Sequence, residues 1–526
     1  MAVTLIGEVA NNCDTDNFTP GDIGDGDILA KQGVDYIGLK ISNGTNTFIT
    51  STLGATAPYD FSVGGGEEGY HIIMFFDALT AVNTTTGFRV YIGDTTAADN
   101  GFYALPPPDQ YTGGWVSRVV NPADDFTGAT GFTTTGNPAQ LTNINEMGGG
   151  FTTITMIAGN FQNCCIDQIT IGLGLRVDAG TVGTPNTFET LRAADEGTSA
   201  NVFGWVSSLA GTIVIKGGIF IGPETGTATS VFNDSNRVIL FADEPIADDF
   251  YKIEMRGTNT DVDFTSCIIR CEDPTNNTNS RWDLTLDGTS IPTFNDNGSL
   301  FQGFGTITLR SGSTLDGTSL DNGNSLIQNS ATLTNCTVLN ANTADGVAFI
   351  TSDNPQAISN CSFTFSDGHA IEITTPGTYS FDGNSFTGYG ADATNDAAIY
   401  NNSGGAVTLN ISNATSPTVR NGAGASTTVV QTVNLTVTGI EENSEIRIFE
   451  AGTTTELDGS ENVTTGSFIF SYDGADIGND VDIRIFNLEY QPLNFIQSQG
   501  TAITLAAADS SLPVQQIPDR NYDNPD

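Results

Sequence analysis

The residues best suited to chemistry in this sequence are acidic side chains in its middle third. Asp316, Asp367, Glu372 and Asp382 follow one another closely along the chain. Hydrolysis of a glycosidic bond needs two carboxyl groups flanking the bond, one of which is kept protonated. These four residues are therefore the candidate acid, base or nucleophile of a hydrolytic reaction.

The same region carries a six-residue phrase that returns at irregular intervals of about two dozen residues. The first and sixth places of the phrase are apolar, and the third is Ser, Gly or Asn. Its copies are Phe264–Ile269, Leu286–Ile291, Leu315–Leu320, Leu333–Val338, Ile358–Phe363 and Phe381–Phe386. Such a repeat predicts a solenoid of parallel strands whose loops vary in length between coils.

The third place of the phrase predicts a sharp turn, because Gly and Asn tolerate positive φ at little steric cost. With a turn there, places one, four and six point into the coil of a parallel β-helix. The predicted turn residues are Gly288, Gly317, Asn335, Asn360 and Gly383. The fourth place predicts a ladder of small buried residues: Cys267, Thr289, Thr318, Cys336, Cys361 and Asn384. Two weaker copies, Ile215–Phe220 and Phe241–Ile246, predict that the same stack begins further upstream.

The phrase also provides a structural interpretation of the Asp, His and Cys side chains that could otherwise be assigned a catalytic or metal-binding role. Its second place is Asp at 287, 316 and 382, and an Asp beside a turn commonly hydrogen-bonds its own backbone. That role is favoured over catalysis. His369 has the same parity as Ile371 and Ile373, which predicts an inward, structural side chain. The cysteine spacings fit no zinc pattern, and buried thiols are favoured over a disulfide between Cys336 and Cys361.

Basic residues are too sparse here for a lyase. A uronate lyase needs Lys, Arg or His to neutralise the substrate carboxylate and to take the proton. The interval from Ser311 to Val419 contains neither Lys nor Arg. Further upstream, basic and acidic residues could line a groove, although their spacing selects none of them: Arg256, Arg270, Arg281, Arg310, Asp261, Asp263 and Asp283.

Charge narrows the range of partners. The chain of 526 residues has 61 Asp plus Glu against 17 Lys plus Arg, for a net charge of −44. This balance argues against nucleic-acid binding and against anionic membranes, both of which need basic patches. It is compatible with loosely bound divalent cations. We found no cofactor or metal motif and expect none to be bound tightly.

Composition and strand periodicity predict an all-β chain of several parts. The 60 Gly and the scarcity of helix-type patterns favour short strands and tight turns. We expect an N-terminal antiparallel β-sandwich or jelly roll over 1–190 and a parallel β-helix over 191–427. A small immunoglobulin-like or transthyretin-like sandwich is expected over 428–509, where Glu445–Phe449 and Val481–Phe486 alternate with period two. Residues 510–526 are expected to be an extended polar tail.

Residues 358–425, and above all Gly388–Gly405, resemble β-helix proteins of bacteriophage virions, of the tail-fibre and tailspike kind. The resemblance implies a right-handed β-helix, a homotrimer or other homo-oligomer, and other virion proteins as partners. It also implies contact with host glycans in some cases. It supplies no catalytic motif to carry over.

These observations define three functional hypotheses. The first is a non-enzymatic structural component of a phage-like virion, on the tail or the capsid exterior. The second is a tailspike-like depolymerase that hydrolyses surface polysaccharide with paired carboxylates. The third, a bacterial adhesin, is disfavoured because the first residues lack a basic segment and a long apolar run. For the same reason we expect synthesis in a host cytoplasm without a signal peptide. The resemblance implies a virion location. We expect no membrane insertion, because the apolar run Ile72–Phe76 is too short to span a bilayer.

Overall fold

The computed structural model describes side chains for Thr170 and for most of the chain from Gly172 to Arg520. The described ranges are 172–177, 180–195, 203–223, 228–241, 251–271, 281–286, 292–364, 366–390, 395–412, 416–474 and 476–520. For the earlier strands it gives bounds and pairing. The chain divides into two compact units: Met1–Thr332 with Leu339–Asn342, and Leu333–Val338 with Thr343–Asp526.

The first part of the first unit is built from antiparallel strands. They are β1 Val3–Asn11, β2 Phe18–Thr19, β3 Asp22–Gly24, β4 Tyr36–Ile41, β5 Thr47–Thr52, β6 Gly69–Phe76, β7 Thr84–Thr85, β8 Phe88–Gly93, β9 Gly101–Leu105, β10 Gly114–Val120, β11 Glu146–Phe151, β12 Ile154–Thr155 and β13 Gln162–Val177. One sheet pairs β13 with β1, β4 and β6, and another has the order β2-β5-β11-β8-β9. All of these pairs are antiparallel.

A short helix, α1 (Phe188–Asp195), precedes a second set of strands in this unit. They are β14 Val206–Leu209, β15 Thr212–Ile215, β16 Gly218–Ile221, β17 Ser230–Ser235, β18 Val238–Phe241, β19 Lys252–Met255, β20 Thr260–Thr265, β21 Ile268–Cys271, β22 Trp282–Leu286, β23 Thr293–Asn297, β24 Leu300–Gln302, β25 Phe304–Thr308, β26 Thr314–Asp316, β27 Ser319–Asp321 and β28 Ser325–Ile327.

From β15 to β25 each strand pairs in parallel with the strand three places further along the chain. The pairings form three parallel sheets: β16-β19-β22-β25-β28, β17-β20-β23-β26 and β15-β18-β21-β24-β27. A chain that visits three parallel sheets in turn is a parallel β-helix, and the fold class expected from the sequence is confirmed in this respect. Its right-handed sense, which the resemblance implies, stays a prediction.

Alternation of side chains explains why these segments form walls. In β20, Val262 and Phe264 are buried, whereas Asp261 and Asp263 on the other face are half-buried. Large rings fill the interior of the coils: Trp282 is fully buried and stacks on Phe241 with ring centroids 5.6 Å apart. Each such ring contributes roughly 1.5–3 kcal/mol by leaving water. The coil interior is therefore the hydrophobic core.

The second unit continues with short strands and two 3₁₀ turns, Pro355–Ala357 and Gln497–Gln499. Its strands are β29 Thr332–Thr334, β30 Thr337–Leu339, β31 Ala348–Ser352, β32 Ile358–Ser359, β33 Ser362–Thr364, β34 His369–Ile373, β35 Gly377–Ser380, β36 Ser385–Thr387, β37 Ile399–Asn401, β38 Ala406–Ser412, β39 Val419–Asn421, β40 Ser426–Thr438, β41 Ser444–Glu450, β42 Glu456–Val463, β43 Ser467–Asp473, β44 Asp480–Asn487, β45 Tyr490–Phe495, β46 Ile503–Thr504 and β47 Ser510–Pro513. The division assigns one residue of β29, Thr332, and one residue of β30, Leu339, to the first unit. Within this unit, parallel pairs run β31-β34-β37-β39, β30-β33-β36, β29-β32 and β35-β38-β40.

Antiparallel sheets follow the parallel strands of this unit. One joins β40 to β43, with β47 added in parallel, and the other has the order β42-β41-β44-β45 with β46 beside β44. Apolar residues of both sheets, among them Leu435, Ile446 and Ile483, form one buried cluster. Two sheets that share one core make a small sandwich.

Long strands join the parallel and antiparallel sheets in each unit. The first half of β13 pairs antiparallel with β4, and its end pairs in parallel with β16. β40 begins parallel to β38 and continues antiparallel to β43. It therefore crosses residue 427, where the sequence predicts a boundary, and β47 lies in the segment predicted as a tail. The four predicted domain ranges stay predictions.

The strand register corrects the sequence alignment of the phrase. Phe264 pairs with Asp296 and Asp296 pairs with Leu315, so the intervening copy is 296–301. Leu286, the predicted start of that copy, instead ends β22 and pairs with Met255, the last residue of β19, in another sheet. The true copy escapes notice because its first place is Asp rather than an apolar residue. Ile215 and Phe241 likewise end strands of a different sheet, where they pair with each other.

Candidate functional site

The turn of the phrase has positive φ wherever the structure describes a predicted turn residue. The φ angles are +66° at Gly317, +56° at Asn335, +55° at Asn360 and +70° at Gly383. Gly288 and Thr289 lie outside the described residues. Positive φ is the conformation that Gly and Asn accept most readily.

The fourth place of the phrase forms a buried set, which we call the corner column: Cys267, Ser299, Thr318, Cys336, Cys361 and Asn384. Cys267, Cys336 and Cys361 are free thiols. Burial is the largest cause of a raised pKa of the Cys267 thiol, which keeps that thiol protonated and unreactive near neutral pH.

Most polar side-chain atoms of the corner column form hydrogen bonds with backbone N–H or C=O groups. In the second unit, Asn384 Oδ1 accepts the Cys361 N–H at 3.0 Å, and Asn384 Nδ2 donates to Ile358 O at 2.8 Å. In the first unit, the Cys267 N–H donates to Ser299 Oγ at 2.9 Å, and Thr318 Oγ1 donates to Asp296. These bonds connect successive coils, so the column is architectural.

The four candidate carboxylates occupy separate places. Asp316 ends β26 in the first unit and is exposed. Asp367 is exposed just before β34. Glu372, within β34, accepts from Asn402 Nδ2 at 2.7 Å, whereas Asp382 accepts from the hydroxyls of Ser380 and Ser412 at 2.9 and 2.6 Å. Asp382 thus bonds side chains rather than its own backbone, the interaction expected of an Asp beside a turn.

Glu372 belongs to a row of outward side chains on three parallel strands, which we call the outer row: Glu372 on β34, Tyr400 on β37 and Arg420 on β39. The register pairs Glu372 with Tyr400 and Tyr400 with Arg420. All three side chains are half-buried, and the Arg420 Cζ lies 4.6 Å from the centre of the Tyr400 ring. The row therefore places an acceptor, an aromatic ring and a cation side by side.

His369 lies against this row. It is fully buried, and its ring stacks on Tyr400 with centroids 5.0 Å apart. Its Nδ1–H donates to Ala397 O at 3.0 Å, which leaves Nε2 to accept from Arg420 Nη1 at 2.9 Å. Burial, together with the nearby Arg420 charge, lowers the pKa of His369. A neutral ring in this tautomer satisfies both bonds.

Sequence reasoning named Glu372 as a catalytic candidate and His369 as an inward, structural side chain, but it missed Tyr400 and Arg420. Arg420 lies 51 residues beyond its partner His369, because two turns of the solenoid separate them. A signal existed, since the first basic residue after the long interval without Lys or Arg is Arg420. Without the register, nothing in the sequence places it beside His369.

A second outward feature lies on β20 in the first unit. Asp261 and Asp263 are two residues apart on one face of the strand, so their Cα atoms are about 6.6 Å apart. Asp263 accepts from Asn295 Nδ2 at 2.9 Å. Burial, and to a lesser degree the Asp263 charge, raises the pKa of Asp261. Two carboxyl groups are here held in different environments.

Other acids with raised pKa values lie inside the wall. Asp195, at the end of α1, accepts the N–H groups of Phe203, Gly204 and Val206 at 2.8, 3.2 and 2.7 Å. Burial raises its pKa to about 7 despite these bonds. Burial also raises the pKa of Asp234 and of Asp296. Asp234 accepts the Phe188 N–H at 2.8 Å and so fixes the start of α1 to the coil. These buried acids are structural.

The charged groups of the predicted upstream groove are mostly engaged with neighbours. Arg281 is buried and donates to Phe304 O at 3.1 Å, and Asp283 accepts the Thr306 N–H at 2.5 Å. Arg256 pairs with Glu254. Across the described ranges, no group of three or more His, Cys, Asp or Glu side chains could hold a metal ion. None of the helices described there is long and apolar enough to cross a membrane.

Comparisons with known proteins identify no family. No protein-family model matches the chain, and no curated protein matches it. Among solved structures, the catalytic domain of a GH87 α-1,3-glucanase in complex with nigerose is 10% identical, with 79% of this chain and 84% of that chain covered and a TM-score of 0.16. A variant of such a domain gives a TM-score of 0.19 with the same coverage.

An exo-β-agarase is 12% identical with a TM-score of 0.20, and the match covers 36% of this chain and 30% of the agarase. The chain thus spans under a third of that protein's length. These structural neighbours are carbohydrate-active enzymes, but likenesses at such TM-scores carry no argument about this chain.

Proposed function

We propose that this chain is a non-enzymatic structural component of a phage-like virion, on the tail or the capsid exterior. It forms a rigid homo-oligomeric scaffold, a homotrimer in the simplest case, for attachment to other virion proteins and for contact with host-surface glycan. The virion setting rests on the sequence resemblance, and the non-catalytic role rests on the outer wall.

The observation that carries the proposal is that outward polar side chains bond from coil to coil. In the first unit Asp321 accepts from Gln302 and Asn340 at 2.7 and 2.9 Å, and Asn342 donates to Asn324 at 2.9 Å. In the second unit Glu372 and Asp382 accept from the coils that follow them. Carboxylates held in this way stiffen the wall and do not face one another across a scissile bond.

The proposal is tested by the mass and the assembly of the full chain. Light scattering is expected to give a mass that is a multiple of 55.2 kDa, and immunogold labelling is expected to locate the chain on the exterior of purified particles. A monomeric chain that is absent from particles would refute the scaffold.

A glycan depolymerase of the hydrolase type is the second candidate, and the Asp261–Asp263 pair favours it. Both side chains lie on one face of β20, with Cα atoms about 6.6 Å apart, so two carboxyl groups are available on one surface. The raised pKa of Asp261 suits a general acid. If this candidate is right, Asp261→Asn and Asp263→Asn abolish release of reducing ends from surface polysaccharide. Asp316→Asn is the matched control, because this exposed carboxylate lies outside the pair.

A further inference from the structure

The outer row ends in the Arg420 guanidinium, which contacts two neutral groups among the described residues. Arg420 lies over the Tyr400 ring and donates one hydrogen bond, from Nη1 to His369 Nε2. Within the described ranges, no Asp or Glu forms an ion pair with Arg420. A guanidinium carries five N–H donors, so most of those on Arg420 are available to a ligand.

These neutral contacts fix the guanidinium before any ligand arrives. Stacking on an aromatic ring and a hydrogen bond to a fully buried imidazole restrict the rotation of Arg420. A planar group held in advance loses less entropy when it binds, which favours affinity. The arrangement suits bidentate recognition of a planar anion such as a carboxylate.

None of the carboxylates in the described ranges forms an ion pair with this cation, although acidic residues are abundant in the chain. Arg420 is the one Lys or Arg between Arg310 and Arg447 in a chain with 61 acidic residues. Arg447, by contrast, contacts the carboxylates of Glu445, Glu456 and Glu461. A half-buried cation with no carboxylate partner among the described residues is suited to bind an anionic ligand.

The neighbours of Arg420 add the chemistry of hydroxyl recognition. Two strand spacings place the Cα atoms of Glu372 and Arg420 roughly 9.6 Å apart, with Tyr400 between them. A sugar lying over Tyr400 can span this distance with its substituents. Glu372 can accept from ring hydroxyls, and Asn402, which bonds Glu372 and is exposed, can both donate and accept. A ligand that uses both ends of the row carries hydroxyls and a carboxylate.

We propose that the outer row is a subsite for an acidic sugar of a surface polysaccharide, a hexuronate or another carboxylated sugar. Arg420 binds the sugar carboxylate, and the Glu372–Asn402 pair hydrogen-bonds the ring hydroxyls. This inference rests on the proposed attachment function, since it names the class of glycan that the outer wall contacts.

Calorimetric titration of the full chain tests the subsite. The probes are trigalacturonate, its methyl ester and maltotriose at one ionic strength. Trigalacturonate is expected to bind at least tenfold more tightly than the other two, and Arg420→Gln is expected to weaken it by about tenfold to a hundredfold. Arg447→Gln, which removes an equal charge from a site already paired with carboxylates, is the matched control and is expected to leave binding unchanged.

Several results would overturn the proposal: no binding of trigalacturonate, equal binding of the ester or maltotriose, or unchanged binding in Arg420→Gln. Displacement by an equal concentration of inorganic sulfate would also overturn it, because the site would then recognise any anion. If Arg420→Gln misfolds, the native chain is used instead: trigalacturonate is expected to protect Arg420 from modification by phenylglyoxal, and unprotected modification would overturn the subsite. Mass and particle incorporation are measured separately, so a failed subsite leaves the scaffold proposal standing.

Discussion

The corner column and the outer row contain similar polar residues that have different roles. In the corner column, Asn384 is fully buried and bonds two backbone groups. In the outer row, Asn402 is exposed and bonds the Glu372 side chain. Burial and the kind of hydrogen-bond partner, rather than residue type, distinguish side chains that hold the fold together from side chains that can contact a ligand.

The same difference governs the acids. Asp195 is held inside the wall by backbone N–H groups, whereas Glu372 and Asp382 are half-buried and held by amide and hydroxyl side chains. A ligand could reach and exchange the outer partners, but not the inner ones. The comparison therefore predicts large effects on stability inside and small ones outside.

The largest expected effect is the pH dependence that Asp195 causes. Its pKa is raised from 3.8 to about 7 in the folded chain, so its contribution is fully present below pH 3.8 and is lost as the pH rises through about 7. The loss is on the order of 4 kcal/mol. Urea midpoints measured from pH 4 to pH 8 should fall more steeply for the wild-type chain than for Asp195→Asn. Parallel profiles would contradict this.

The next effect contrasts two asparagines in the second unit. Asn384→Ala leaves the Cys361 N–H and the Ile358 carbonyl without their partners, which costs about 2–4 kcal/mol. Asn402→Ala removes one exposed bond and should change stability by about 0.5 kcal/mol or less. Denaturant midpoints check both variants. Equal losses would mean that the two regions do not differ as described.

The parallel β-helix could be predicted from the sequence because the same pattern of apolar, turn and small residues recurs in successive coils. It placed the copy at 286–291 wrongly, since Asp296 breaks the apolar rule while its backbone keeps the register. The outer row had no repeat to reveal it. Tyr400 and Arg420 meet His369 through stacking of coils, and spacing along the chain carries no trace of that contact.

A smaller effect than that of Asn384→Ala is expected at the turns of the phrase. Gly317→Ala adds a Cβ at φ +66° without a clash, because the nearest atom would be 3.8 Å away, an ordinary van der Waals contact. Only backbone strain remains, about 1–2 kcal/mol. Asn335→Gly keeps a residue that accepts its φ of +56° and should change stability by less. Thermal melting of both variants checks this order, and a more damaging Asn335→Gly would show that its side chain matters more than its φ.

The central claim is attachment without turnover, and one assay tests it most directly. The full chain is incubated with a carboxylated surface polysaccharide, and bound polymer and new reducing ends are measured in the same sample. The account predicts binding that depends on Arg420 and no increase in reducing ends over time. Steady release of reducing ends that Asp261→Asn abolishes would contradict it and establish the hydrolase.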